Sequence, residues 1–112
     1  MKYNKLDLVW LFEKEPICSE KVGTYDGIFN YSKKCDGFKL QIVFDIYENW
    51  INVYLEYFDK ALFSANLICV TELLRCEEDL IISVKDVPTL KLKFKEQLSV
   101  ELLSLNEYNS KL

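Results

Sequence analysis

Residues 38–58 read FKLQIVFDIYENWINVYLEYF, and their apolar side chains recur at every second position. A period of two is typical of a β-strand with one buried face. The Glu48-Asn49 pair divides the stretch and predicts a turn. The stretch therefore predicts two long antiparallel strands whose core-facing residues are Phe38, Leu40, Ile42, Phe44, Ile46, Ile51, Val53, Leu55 and Tyr57.

Shorter strands are predicted on both sides of this pair. Upstream, residues 28–32 form a strand, and Asp36-Gly37 is the clearest hairpin turn of the chain. Downstream, residues 61–74 suit either a strand or a short helix, and we favour a strand over 67–74. Further alternating segments predict strands near 80–84, 90–94 and 98–102.

The N-terminal segment 5–15 has a different pattern. Leu8, Leu11 and Phe12 form one helical stripe, and Pro16 then disfavours further helix. A strand is the alternative, because Val9 and Trp10 have good β propensity. The prediction is a mainly β (α+β) fold in one domain, 1–112. It is an antiparallel meander of about six or seven strands, in a curled sheet or a small sandwich, with a short N-terminal helix.

Composition excludes several classes of function. The 112 residues include no His, which excludes Ser-His-Asp catalysis, His-ligated zinc and imidazole pH sensing. The formal charge is -4 and Arg75 is the only Arg, so nucleic-acid binding is disfavoured and a basic protein partner is favoured. We expect neither a signal peptide nor a membrane span, hence a reducing cytoplasm in which the cysteines are free and mostly buried.

Catalytic and metal sites receive little support from the remaining residues. Asp45 and Glu56 could form an acid/base pair and Cys35 a nucleophile, but nothing brings such groups together. The spacing of the four cysteines does not suit zinc. Alternating lysines at 91, 93 and 95 suit an edge strand, where their charges discourage aggregation with strands of other molecules, better than a phosphate site. We therefore predict no enzyme, no cofactor and no metal.

Two surfaces are candidates for partner binding. The first is the wetter side of the long hairpin, which mixes aromatic and acidic side chains. Its members are Gln41, Val43, Asp45, Tyr47, Asn52, Tyr54, Glu56 and Phe58. An equally good interpretation is that the N-terminal helix covers this side, with Leu8, Leu11 and Phe12 against Val43 and Phe58. The second surface is the acidic set Glu72, Glu77, Glu78 and Asp79, which also suits a solvated turn.

The order of these features resembles the immunity protein 50 family of bacterial polymorphic toxin systems. The segments that carry the resemblance are Trp10-Leu11-Phe12, Pro16, Tyr25-Asp26-Gly27-Ile28, Leu40-Gln41-Ile42-Val43-Phe44, Trp50-Ile51-Asn52-Val53-Tyr54-Leu55 and Leu98-Ser99-Val100. The family often carries a His before the Asp, where this chain has Tyr25.

The resemblance implies a cytosolic immunity protein that binds and neutralises a cognate, basic toxin domain. Asp45, Tyr47, Asn52, Tyr54 and Glu56 would then contact the toxin, with the acidic set as a second patch. Two alternatives stay open: a β-rich structural or adaptor subunit that self-associates, for example as a homodimer, and a small-molecule-binding domain.

Overall fold

The computed structural model describes residues 1–18 and 27–104, and in these ranges it contains one helix and nine strands. The predicted mainly β fold with a short N-terminal helix is confirmed. The elements are α1 (Lys5–Phe12), β1 (Ile17–Cys18), β2 (Ile28–Cys35), β3 (Phe38–Asp45), β4 (Trp50–Tyr57), β5 (Lys60–Leu67), β6 (Val70–Cys76), β7 (Asp79–Val84), β8 (Val87–Lys93) and β9 (Ser99–Leu102).

The first sheet has five antiparallel strands in the order β1-β2-β3-β4-β5. The predicted Asp36-Gly37 hairpin joins β2 to β3, and both turn residues have positive φ (52° and 88°), as a two-residue hairpin requires. The Glu48-Asn49 turn joins β3 to β4, with Asn49 in the left-handed region (φ 58°). The central pair of strands predicted from residues 38–58 is therefore confirmed, but β4 ends at Tyr57, which is 40% exposed and not in the core as predicted, and Phe58 lies in the turn that follows.

The second sheet has four antiparallel strands in the order β6-β7-β8-β9. The chain enters it at Ile68-Cys69, where Cys69 has φ 58° and the Val70 amide donates to the Asn49 carbonyl (2.9 Å). The prediction of one strand over 67–74 is wrong, because this kink ends β5 at Leu67 and begins β6 at Val70. This split and the short β1 raise the number of strands above the predicted six or seven.

Both sheets and the helix contribute to one hydrophobic core. Leu40, Ile42 and Phe44 of the first sheet and Leu80 and Ile82 of the second are fully buried in it. Asn4 caps the helix by accepting a hydrogen bond from the Asp7 amide (3.1 Å), and the helix ends before Pro16 as predicted. Its buried residues are those of the predicted stripe, Leu8, Leu11 and Phe12.

Two further expectations are wrong. The strand with Lys91 and Lys93 is not an edge strand: β8 lies between β7 and β9, and Lys93 forms an ion pair with Glu101, its diagonal neighbour on β9 (3.1 Å). The cysteines are not mostly buried, since Cys69 and Cys76 are exposed and Cys35 is half-buried. These three thiols are free. The Cys18 side chain and the Tyr25-Asp26 segment of the family resemblance lie outside the described residues.

Candidate partner-binding surface

The outer face of the first sheet carries part of the first predicted surface. Burial alternates along β4, so Ile51, Val53 and Leu55 enter the core while Asn52, Tyr54 and Glu56 point away from it, half-buried. We call the side chains at these outward positions of β2–β5 the outer face; on β3 and β4 they are Lys39, Gln41, Val43, Trp50, Asn52, Tyr54 and Glu56.

The register of the strands places polar neighbours beside Tyr54 and Glu56, two of the predicted contact residues. Tyr54 lies between Gln41 of β3 and Ser64 of β5. Glu56 lies opposite Lys39, so the face carries both signs of charge at this end. Such a mixture of an aromatic ring, amides and charges suits contact with a protein surface.

The helix does not cover this face, so that interpretation is wrong. Phe12 instead contacts Tyr31 of β2 and Phe94, with ring centroids 5.4 and 4.9 Å apart, on the core side of the sheet. The physical reason is the larger apolar area there: the stripe of the helix completes the core between the two sheets.

Asp45 is the clearest departure from the predicted surface. Its strand position faces outward, but the following turn folds over it, and the residue is only 2% exposed. One carboxylate oxygen, Oδ1, accepts hydrogen bonds from the Tyr47 amide (2.8 Å) and the Glu48 amide (2.9 Å). The expectation that Asp45 lies on the wetter side is therefore wrong, and its carboxylate shapes the β3–β4 turn.

Tyr47 and Phe58 lie at opposite ends of β4, each in a turn and each largely exposed. A strand of eight residues spans about 26 Å. The outer face is thus flanked by an exposed aromatic ring at either end.

The acidic set does not join the outer face. Glu72 and Asp79 alternate with the buried residues Leu73 and Leu80, so they point outward from the second sheet, while Glu77 and Glu78 form the β6–β7 turn. The two candidate surfaces therefore lie on different sheets of the molecule, which the sequence pattern alone does not reveal.

Arg75 organises a contact that the sequence did not predict. Its guanidinium lies 3.7 Å from the centre of the Trp10 ring, approaches Asp7 (3.4 Å), and donates through Nε to the Glu77 carbonyl (2.8 Å). It thereby joins the helix to the β6–β7 turn. Beside it lies a groove of about 650 Å³ lined by Val9, Trp10, Leu11, Glu13, Lys14, Glu15, Lys33, Glu78 and Phe94.

Within residues 1–18 and 27–104, no three His, Cys, Asp or Glu side chains are grouped in a way that could hold a metal ion. The one helix of these ranges, at eight residues, falls well short of the length needed to cross a bilayer.

Comparisons with known proteins give one structural match. No family model and no curated protein matches the chain. A chain in the contact-dependent growth inhibition toxin–immunity protein complex from Klebsiella pneumoniae 342 is similar, with a TM-score of 0.69 and 16% sequence identity. The match covers 88% of this chain and 90% of that chain. The protein therefore shares its fold with a member of a toxin–immunity complex.

Proposed function

We propose that this protein is a cytoplasmic immunity protein that binds a cognate toxin domain and neutralises it by protein–protein contact. The observation that carries the proposal is the fold shared with a chain of a toxin–immunity complex over most of both chains. No family model matches the chain, so the proposal extends to the role and not to a particular immunity protein family.

Of the two proteins in such a complex, the sequence favours the immunity protein. The chain is acidic, with a formal charge of -4, and it contains no His. An acidic surface attracts a basic partner and repels a nucleic-acid or phosphate substrate. The partner is therefore expected to be basic.

The outer face of the first sheet supplies the proposed contact surface. Tyr54 offers a large contact area with few rotatable bonds, and Asn52 and Glu56 on the same strand offer hydrogen bonds and charge. Tyr47 extends the surface at one end of β4. In an interface of ordinary size, a few such residues carry most of the binding energy.

The proposal predicts that a toxin domain is encoded beside this gene, and co-expression with that domain is the test. We expect cells that express this chain alone to grow normally. Cells that express the toxin domain should stop growing, and co-expression of this chain should restore their growth.

Tyr54→Ala should raise the Kd for the purified toxin domain at least about 30-fold, because it removes a central aromatic contact. The matched control is Leu74→Ala on the second sheet, where the change should stay within about threefold. Growth arrest by this chain alone, or no protection, contradicts the proposal.

We propose that the acidic set speeds association with the toxin by electrostatic attraction. The outer face forms the contacts that slow dissociation. Two matched substitutions separate these roles. Glu56→Lys should mainly raise the dissociation rate, whereas Glu78→Lys, in the exposed turn of the second sheet, should mainly lower the association rate and weaken its dependence on salt. Stopped-flow or surface-binding kinetics at low and physiological ionic strength measure both. A salt-independent association rate in the unaltered protein contradicts the attracting role.

A further inference from the structure

Phe58 occupies a position that its side chain does not favour. It is the first residue of the two-residue turn between β4 and β5, with φ 47°, and Asp59 follows with φ 67°. Asn, Asp and Gly are the residues that ordinarily occupy such a turn, because other side chains collide with their own backbone in the left-handed region. Among the ten non-glycine residues with positive φ in the described ranges, Phe58 is the one aromatic residue.

Burial does not explain the choice of residue. The Phe58 side chain is 68% exposed, so its ring contributes little to the core. A strained backbone and a solvated aromatic ring both disfavour Phe at this point. Strain of this kind is characteristic of functional positions.

The ring is nevertheless held in place. The Phe58 amide donates to the Gly37 carbonyl of the neighbouring hairpin (2.9 Å), and the ring meets Tyr57 edge-on with centroids 4.6 Å apart. It lies so close to Gly37 that a Cβ atom added there would be 2.7 Å from the ring. Tyr57 is in turn fixed against Phe38 (4.5 Å). An aromatic ring fixed before binding loses little conformational entropy when a partner covers it.

We propose that Phe58 is a preorganised anchor that inserts into an apolar pocket on the toxin domain. This inference rests on the proposed function and names the residue at which the interface is fixed. Phe58 lies at the end of β4 opposite Tyr47, and its ring lines a shallow groove together with Lys39 of the outer face. Asp36, Lys39 and Asp59 line the shallow groove beside the ring and supply a polar rim around an apolar centre.

The test is Phe58→Asn, because Asn suits the left-handed backbone and removes the ring. We expect the Tm to rise by about 4 °C as the strain is relieved, and the Kd for the purified toxin domain to rise at least about 30-fold. Phe58→Gly, which also tolerates positive φ, should give the same loss of binding. The matched control is Leu6→Asn, which removes an exposed apolar side chain from the helix and should leave the Kd within about threefold.

Each outcome has a separate meaning. Equal binding by the unaltered protein and Phe58→Asn overturns this inference and leaves the proposed function standing, whereas no binding by the unaltered protein overturns the proposed function itself. A Tm that falls clearly in both Phe58 variants shows that the ring serves the fold and overturns the inference. Sedimentation that reveals a dimer lost in Phe58→Asn assigns the ring to a second copy of this chain and also overturns it.

Discussion

Phe12→Ala is expected to lower the free energy of unfolding by about 3–5 kcal/mol, the usual cost of emptying a buried aromatic site. Phe12 is 1% exposed, and its ring joins three parts of the fold: the helix that carries it, Tyr31 of the first sheet, and Phe94 after the last residue of β8. Loss of the ring leaves a cavity where these parts meet. Urea unfolding followed by fluorescence, with an unchanged m-value, measures the effect.

Trp10→Ala is the matched control for Phe12→Ala. It removes a still larger ring from the same helix, but Trp10 is 51% exposed and contacts mainly Arg75. We expect a loss of about 1 kcal/mol, the scale of one cation–π contact. Equal losses from the two substitutions would show that the helix is held by its exposed side, contrary to the packing described above.

The strands of residues 38–58 could be predicted from sequence because the alternation of apolar and polar residues within each strand is enough to indicate a sheet with one buried face. Leu40, Ile42 and Phe44 are buried as their alternation indicates, and Asp36-Gly37 forms the predicted hairpin. Residues 61–74 were harder to interpret, since the kink at Ile68-Cys69 has no Gly or Pro to mark it. The kink is set by tertiary hydrogen bonds: the Val70 amide donates to Asn49, and the Lys85 amide donates to Cys69.

The candidate surface could be predicted only in part. Alternation correctly placed Asn52, Tyr54 and Glu56 on the outward side of β4. It could not show that the acidic set belongs to a different sheet, because that separation depends on how the sheets pack. The turn position of Phe58 could not be predicted either. The alternation of apolar residues extends the predicted strand through Phe58, whereas the structure places this residue in a turn with positive φ.

The helix shows why two interpretations of one segment could not be separated from the sequence. Its apolar stripe could pack against any apolar surface, and both faces of the long hairpin of residues 38–58 carry apolar side chains. The structure favours the core side because Tyr31 and Phe94 complete a continuous apolar contact with Phe12. The outer face is thereby left for the partner in the proposed function.

Asp45→Ala is expected to lower the free energy of unfolding by about 2–4 kcal/mol and to weaken partner binding no more than the loss of the Tyr47 side chain does. The substitution removes the acceptor for the Tyr47 and Glu48 amides, and a hydrogen bond to a charged group contributes roughly 1.5–3 kcal/mol. Asp45→Asn, which keeps a side-chain oxygen, should cost about half as much. Urea unfolding of the three proteins gives the comparison.

Tyr47→Ala supplies the opposite case, since its side chain is exposed in the turn that Asp45 shapes. We expect it to weaken toxin binding and to change stability by about 1 kcal/mol or less. Calorimetric titration at a temperature where every variant is folded separates affinity from stability. If Asp45→Ala weakens binding more than Tyr47→Ala does, the carboxylate contributes to the interface despite its burial, and the assignment of Asp45 to the turn alone is wrong.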